Sequence, residues 1–254
     1  MIVTRFAPSP TGFLHLGHAF AALTASEAAL TAKGRFFLRI EDIDQTRCRA
    51  EFETAIHEDM QWLGIAYASP VRRQSEHFDV YESALSALRE KGLLYPCFCT
   101  RKDIAREIAQ SAAAPHGPDG PLYPGLCRTI PPKDAAARMA SSAAYAFRLH
   151  AARAADSLRE PLFFTEQGPG PKGETVRHSV NPLLFGDVVL ARKDCPASYH
   201  LAVVTDDALQ GVTLVTRGED LFPATHIQRL LQAHLNLPEP TYAHRSEEHT
   251  SELQ

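Results

Sequence analysis

The sequence predicts an α/β domain with a parallel sheet, which a smaller insert divides into two halves. Short apolar segments alternate with helical segments over residues 1–96, and a regular pattern returns over residues 178–244. Residues 97–177 include two stretches rich in proline and glycine, at 111–132 and 168–173. Strands that alternate with helices form a parallel sheet joined by crossover helices. We therefore expect one α/β sheet split by an insert.

The first half opens with a short buried strand over residues 2–7, which Pro8 and Pro10 end. Thr11 and Gly12 then turn the chain into a long run of helix-forming residues that ends near Gly34. The elements expected here are a helix over 15–32, a strand over 35–40, and helices over 50–63 and 78–90.

The second half contains three apolar segments with β-branched residues, over 187–191, 199–205 and 212–216. Each is short enough to be a buried strand, and we predict strands at all three. Residues 225–235 then predict a helix.

Composition excludes several classes of protein. The 254 residues contain no long apolar run and no apolar signal-peptide core at the N-terminus, which argues against a membrane span and predicts a cytoplasmic location. An odd count of five cysteines argues against a disulfide framework. Net charge is −4, but residues 97–177 carry 11 Lys and Arg against 8 Asp and Glu. Such a segment permits nucleic-acid contact, although a solvated surface explains it equally well.

The opening stretch RFAPSPTGFLHLGH places two histidines where a helix follows a strand. A helix N-terminus presents free N–H groups and partial positive charge, which suit a phosphate. Gly12 and Gly17 let a ring or phosphate approach the backbone, and His15 and His18 can donate hydrogen bonds to phosphoryl oxygens. Two ordinary histidines on an exposed first turn are the alternative. The stretch lacks the glycines and lysine of a P-loop.

This stretch closely resembles the first signature of class I aminoacyl-tRNA synthetases, in the form used by the glutamyl branch. The resemblance implies a Rossmann-like catalytic domain that binds ATP with Mg²⁺. The implied ATP-binding residues are Gly12, His15, Gly17 and His18. Of these, the two histidines would be catalytic, since they would lie where the α-phosphate is attacked.

Two further segments resemble the same family: FLRIEDIDQTR, at the end of the second strand, and SYHLAVVTDDALQGVTLVTRGEDL in the second half. They imply a glutamate pocket in which Glu41 meets the substrate ammonium and arginines meet its carboxylates. The implied residues are Arg5, Phe6, Ala7, Pro8, Ser9, Glu41, Tyr199 and Arg217. Alone, Glu41 could belong to an acidic loop that caps the next helix, and Arg217 could be a surface charge.

Cys97, Cys99 and Cys127 form a third constellation, in the pattern Cys-x-Cys followed by Tyr-x3-Cys. Three thiols indicate one structural, tetrahedral Zn²⁺ with a fourth oxygen or nitrogen ligand. The resemblance implies Tyr123 as that ligand, and His116 is the alternative. Incidental cysteines remain possible, and Cys48 and Cys195, which fit no pattern, are interpreted as structural.

Two kinds of relative must be separated within the glutamyl branch. The longer enzymes carry an anticodon-binding region and charge the 3′ end of tRNA(Glu). A short paralogue without that region attaches glutamate to queuosine, the modified wobble base of tRNA(Asp). The local sequences RIEDID, QGVT and SYHLAVV favour the paralogue. The implied partners are ATP, L-glutamate and queuosine-bearing tRNA(Asp), with the insert contacting RNA and the protein a monomer. A synthetase-like protein that binds without activating is a third interpretation.

The segment after TYAH departs from the family pattern. A Lys-Leu-Ser-Lys or Lys-Met-Ser-Lys loop is expected there, and the chain reads RSEEHTSELQ over residues 245–254. These ten residues back-translate to AGATCGGAAGAGCACACGTCTGAACTCCAG, the start of a common sequencing adapter. We therefore expect a non-native tail on a truncated gene and an enzyme impaired by the missing lysine loop. The choice between relatives then depends on the internal sequence.

Overall fold

A computed structural model describes residues 1–110, 115–141, 144–168, 173–193 and 195–245 of the chain. The tail predicted to be non-native lies outside these ranges except for its first residue, Arg245. In the first half, strands and helices alternate, and one strand, over residues 68–73, is not predicted by the sequence analysis. These elements are β1 (Val3–Phe6), α1 (Leu16–Thr31), β2 (Arg35–Ile40), α2 (Ala50–Trp62), β3 (Ala68–Arg73) and α3 (Phe78–Glu90).

The middle of the chain is richer in strands than the sequence analysis anticipates. Its elements are β4 (Leu94–Cys97), α4 (Arg101–Gln110), β5 (His116–Gly117), β6 (Gly120–Pro121), α5 (Pro132–Ala140), β7 (Ala146–Leu149), α6 (Ala151–Asp156), β8 (Phe163–Gln167) and β9 (Thr175–Ser179). The chain then continues with β10 (Val189–Arg192), α7 (Tyr199–Leu209), β11 (Leu214–Gly218), α8 (Ala224–Leu235) and β12 (Thr241–Arg245).

The two halves meet in a Rossmann-like α/β arrangement of parallel strands. β1, β2 and β3 form one parallel sheet, and β11, β12 and β8 form another, to which β9 adds an antiparallel edge. The sheets adjoin where the Thr213 N–H donates to the Val3 carbonyl at 3.0 Å and the Val3 N–H donates to Thr213 Oγ1 at 2.9 Å. β1 and β11 therefore lie side by side at the centre.

Part of the predicted insert belongs to this central sheet. β8 pairs with β12, and β9 pairs with β8, although both lie mostly within residues 97–177. β4, β7 and β10 form a separate antiparallel sheet. The boundaries at 97, 178 and 244 stay predictions, while the hydrogen bonds show that the central sheet draws strands from both sides of them.

Small residues let α1 lie close to the central strands. Ala22, Ala25 and Ala29 are fully or almost fully buried, and Thr4 Oγ1 in β1 donates to the Ala25 carbonyl at 2.7 Å. An alanine face lets the helix axis lie near the sheet. Because α1 follows β1 in the chain, its first turn lies at the carboxyl end of that strand. This places His15 and His18 over that end.

The strand predicted at 199–205 is wrong. Residues 199–209 form α7, whose N-cap Ser198 accepts a hydrogen bond from the Leu201 N–H at 3.4 Å. Every residue from Leu201 to Asp207 is buried. An element buried on all sides has no polar face, so its sequence does not distinguish a helix from a strand. Among the described residues, no helix is both long enough and apolar enough to cross a membrane.

Candidate active site

A cavity of about 640 Å³, called the main cavity below, opens at the carboxyl ends of β1, β2 and β11, against the N-terminus of α1. Ligands of open parallel sheets bind at this edge. All twelve residues that the sequence predicts for ATP and glutamate line it: Arg5, Phe6, Ala7, Pro8, Ser9, Gly12, His15, Gly17, His18, Glu41, Tyr199 and Arg217. The structure therefore brings the three separate sequence segments into one site.

Each of the two histidines caps α1 through the Nδ1 atom of its own ring. His15 is the N-cap, and its Nδ1 accepts from the Gly17 N–H at 3.2 Å. His18 Nδ1 accepts in turn from the His15 N–H at 3.2 Å. Because Nδ1 is an acceptor in both rings, each neutral imidazole carries its proton on Nε2. Each ring is thus fixed in the tautomer that can donate a hydrogen bond to a substrate oxygen.

A chain of buried ion pairs lies beneath the cavity. Arg5 Nε donates to Asp207 Oδ1 at 2.9 Å, and Arg39 Nη1 donates to the same oxygen at 2.7 Å. Arg39 Nη2 reaches Glu41 Oε1 at 3.1 Å. Each of these side chains is less than a tenth exposed. Asp206 extends the chain, since it lies 3.8 Å from Arg39 Nε and 2.7 Å from Arg72 Nε. Three arginines thus face three carboxylates, and their charges balance.

The two carboxylates respond differently to this setting. Burial raises the pKa of Glu41, and the nearby Arg39 and Arg5 only partly offset it. Burial also acts to raise the pKa of Asp207, but Arg5 and Arg39 outweigh it and hold that pKa below its ordinary value. Asp207 is therefore the fixed anion of the chain, whereas Glu41 would gain from a further cation, such as an ammonium group.

Arg217 is held by uncharged partners. Its Nε donates to His244 Nε2 at 2.9 Å, its Nη1 to Gln228 Oε1 at 2.8 Å and its Nη2 to Thr225 Oγ1 at 2.7 Å. The residue is only 8% exposed. Since none of these direct partners carries a negative charge, no anion in contact with the guanidinium offsets its positive charge at the edge of the cavity.

A second cavity of about 460 Å³ adjoins the first and shares Ser9, Thr11, Glu41 and Tyr199 with it. Both predicted structural cysteines line it: Cys48 is half-buried, and buried Cys195 donates from Sγ to the Ala197 carbonyl at 3.3 Å. Tyr199, at the start of α7, therefore lies on the boundary between the two cavities.

The three patterned cysteines meet away from these cavities, beside β4. The Sγ atoms of Cys97, Cys99 and Cys127 all lie within 4.8 Å of one another. The Tyr123 hydroxyl lies 3.3 Å from Cys97 Sγ and 3.5 Å from Cys99 Sγ. Zn–S bonds of about 2.3 Å in a tetrahedron place sulfurs roughly 3.8 Å apart. The four side chains therefore fit one tetrahedral ion, and exposed His116 lies outside the cluster.

Comparison with known proteins identifies the family and the fold. The family described as "tRNA synthetases class I (E and Q), catalytic domain" matches residues 1–252. The chain belongs to this family. The resemblance to class I synthetases seen in the sequence is confirmed, and the protein is an enzyme of the aminoacyl-tRNA ligase class.

The relatives of this synthetase domain fall into two groups. "Glutamyl-Q tRNA(Asp) synthetase" of Rhodobacter capsulatus is 48% identical over 245 residues, which cover 96% of this chain and 86% of that protein. "Glutamate--tRNA ligase" of Aquifex aeolicus is 38% identical, and the match covers 96% of this chain but only 48% of that enzyme.

A solved structure agrees in fold with this synthetase domain. A glutamate tRNA ligase from Elizabethkingia meningosepticum, crystallised in complex with its amino acid, superimposes with a TM-score of 0.78 at 26% identity. The match covers 96% of this chain and 49% of that one. The chain thus spans about half the length of either glutamate ligase.

Several residues of the synthetase site are missing from the sequence-based set. Arg39 and Asp207 do not line the main cavity, yet they hold Arg5 and Glu41 in place. His244 acts on Arg217 from β12. Asp207 and His244 lie in the quoted segments TDD and TYAH, so their positions were visible, but nothing in the sequence alone pairs them with arginines. Thr11, Phe13, Thr216 and Asp220 also line the cavity.

Proposed function

We propose that this synthetase domain uses ATP to activate L-glutamate as glutamyl-adenylate and transfers the glutamyl group to queuosine of tRNA(Asp). The observation that carries the amino-acid assignment is the charge of the buried site. Arg5, Arg39 and Arg72 are balanced by Glu41, Asp206 and Asp207, whereas Arg217 donates to no carboxylate directly. Glutamate carries a net charge of −1, so it completes the balance, whereas glutamine would leave a buried cation uncompensated.

The position of each binding residue in the cavity supports the role that we propose for it. Glu41 would receive the substrate ammonium, which favours the ionised form of this carboxyl. The guanidinium groups of Arg5 and Arg217 would receive the two carboxylates. Tyr199 and the backbone from Phe6 to Ser9 would close the pocket.

Activation needs no protein nucleophile. An α-carboxylate oxygen of glutamate attacks the α-phosphorus of Mg-ATP and forms a new P–O bond. The bond from that phosphorus to the bridging oxygen breaks, and pyrophosphate leaves with the electron pair. The Nε2 protons of His15 and His18 would stabilise the charge that moves to the phosphoryl oxygens. The dipole of α1 adds to this, and Gly12 and Gly17 leave room for the nucleotide. Mg²⁺ would enter with the triphosphate.

Transfer to the acceptor follows the same logic. A hydroxyl of the acceptor attacks the glutamyl carbonyl, its proton passes to solvent or to the phosphate, and AMP leaves. Queuosine is favoured as the acceptor because the Rhodobacter relative bearing that name matches over 86% of its own length. The catalytic part of an ordinary glutamate–tRNA ligase is the second candidate, which the 38% identity to the Aquifex enzyme favours. A protein that binds without activating is disfavoured because the capping histidines and the buried ion pairs converge on one cavity.

We also propose that Cys97, Cys99, Cys127 and Tyr123 hold one structural Zn²⁺. The ion would join β4 to the segment before α5 and would take no part in the reaction. Residues 97–177, with their small positive excess, would supply the RNA contacts, and a monomeric cytoplasmic enzyme stays the expectation.

A charging assay with labelled glutamate tests the proposal. Label on tRNA(Asp) that carries queuosine, none on unmodified tRNA(Asp) and none on tRNA(Glu) is the expected result. Transfer should weaken as salt rises, because phosphate contacts release counterions. Label at the 3′ end of tRNA(Glu) would replace the queuosine assignment with the ordinary ligase.

A further inference from the structure

Arg217 differs from the other arginines of the site in how it is held. Arg5 and Arg39 donate directly to the Asp207 carboxylate. Arg217 instead donates its Nε proton to an imidazole, and a carboxylate lies behind that ring. The side chain of His244 stands between Arg217 and the Glu166 carboxylate.

The hydrogen bonds fix the protonation of His244. Its Nε2 accepts from Arg217 Nε at 2.9 Å, and a guanidinium can only donate. The ring proton must therefore reside on Nδ1, which lies 2.8 Å from Glu166 Oε2. Glu166 Oε1 also accepts from the His244 backbone N–H at 2.6 Å. The carboxylate thus grips both the ring and the backbone of one residue.

The surroundings keep this ring neutral. The His244 side chain is 3% exposed, and burial lowers its pKa, with Arg217 acting in the same direction. Glu166 and Glu219 oppose this shift without reversing it. The Phe222 and Tyr242 rings pack against the imidazole, with centroids 5.1 and 6.1 Å away. A neutral imidazole is the state that can accept from Arg217.

We propose that His244 is a positioning residue, which orients Arg217 through Nε2 without neutralising it. This inference rests on the proposed function, in which Arg217 binds a carboxylate of glutamate. A carboxylate in direct contact with Arg217 would orient the guanidinium equally well, but the pair would then have no net charge to offer the substrate. The imidazole transmits the orientation imposed by Glu166 and keeps the anion one ring further away, so the charge of Arg217 remains for the substrate.

The geometry supports orientation as the role of this relay. Glu166, His244 and Arg217 lie near the carboxyl ends of the neighbouring strands β8, β12 and β11, and Arg217 alone of the three lines the main cavity. The other two partners of Arg217, Gln228 and Thr225, are uncharged and belong to α8. Three neutral acceptors on two elements therefore define the plane of the guanidinium.

Two substitutions at His244 separate the functions of its ring nitrogens. In His244→Gln the amide can reach the position of Nε2, so an acceptor for Arg217 is retained. In His244→Asn the shorter amide can reach the position of Nδ1 and Glu166, but the acceptor for Arg217 is lost. Glutamate binding to the full chain is measured by calorimetry, and thermal unfolding of each variant is measured beside it.

We expect His244→Asn to weaken glutamate binding about tenfold, and His244→Gln to stay within about threefold of the wild type. Similar unfolding midpoints for both variants would show that the difference is not a loss of folding. Equal glutamate affinity in the wild type and in both variants would overturn the relay, as would equal weakening in both.

A spectroscopic readout separates this inference from the proposed function. Long-range ¹H–¹⁵N spectra of the wild type should show His244 as the Nδ1–H tautomer, and His244→Asn should shift the Arg217 Nε–H signal more than His244→Gln does. If the spectra show these signals but the wild type does not bind glutamate, the glutamate assignment is refuted and the orientation of Arg217 by His244 is upheld. An Nε2–H tautomer, or a charged ring at neutral pH, would refute the relay whatever the substrate.

Discussion

The imidazole rings of His15 and His18 lie 3.9 Å apart, centroid to centroid, and each caps the first turn of α1 with its Nδ1. One pair of side chains therefore closes the helix and holds two Nε2 protons at the mouth of the cavity. Structure and proposed catalysis use different atoms of the same ring, so substitutions can separate them.

His15→Asn should keep the helix cap and lose the Nε2 donor. Asparagine is a good N-cap, whereas alanine at this position would cost about 1 kcal/mol of stability. We expect the asparagine variant to unfold near the wild-type temperature and to form glutamyl-adenylate roughly 100-fold more slowly, which is typical for loss of one donor to a developing anion. His15→Ala is the control, with both properties reduced. Wild-type rates of adenylate formation in His15→Asn would contradict the role of Nε2.

Asp207→Asn should be strongly destabilising. The substitution removes the anion shared by Arg5 and Arg39 and leaves two buried guanidinium groups short of one negative charge. Loss of one partner from a buried ion pair costs about 3–5 kcal/mol, whereas an exposed pair contributes up to about 1 kcal/mol. Asp44→Asn, which removes the pair to highly exposed Arg47, is the matched control. Urea unfolding measures both, and equal losses would show that the buried chain of ion pairs contributes little.

Acid should destabilise the fold partly through His200. Its Nδ1 is buried and, within the described residues, lacks a hydrogen-bond partner, and burial lowers the pKa of His200 to about 4. The unfolded value is about 6.5, so the unfolded chain binds this proton more tightly. The stability from neutral His200 is complete above a pH of about 6.5 and is lost as the pH falls towards 4. We expect the free energy of unfolding to fall more steeply over this range in the wild type than in His200→Gln. Parallel curves would contradict this.

Purified chain should contain one Zn²⁺, bound by the cluster of Cys97, Cys99 and Cys127. We expect elemental analysis to find about one zinc per chain, and Cys127→Ser to lose it together with protection of the surrounding segment from proteolysis. Cys48→Ser is the matched control, because Cys48 lies beside the second cavity and outside the cluster. Zinc that survives in Cys127→Ser, or wild-type chain without metal, would refute the site.

The sequence predicts this site better than the topology around it. The motifs place His15, Glu41 and Arg217 at strand ends, and parallel strands bring those ends to one edge. α7 was predicted as a strand because an element buried on all sides has no polar periodicity. The pairing of β8 with β12 was not foreseen, since Tyr242 and Glu166 are 76 residues apart and local sequence carries no information on such pairing. A separation of 78 residues conceals the contact between His244 and Glu166 in the same way.

Charge should decide which amino acid the cavity accepts. Among the described residues, the buried Arg217 donates to no carboxylate directly, so Arg217→Gln leaves the ion pairs of the site balanced. A neutral substrate then fits the electrostatics better than an acidic one. We expect the affinity for glutamate to fall at least about 100-fold, because the acidic substrate loses its ion pair with residue 217. The affinity for glutamine should change far less, because the neutral substrate loses no such pair. Arg49→Gln, at an exposed arginine paired with Glu51, is the control and should bind glutamate as the wild type does. Calorimetry with both amino acids measures the ratio. If the variant lost both ligands equally, Arg217 would serve to shape the pocket, and selection for glutamate would have to come from Arg5.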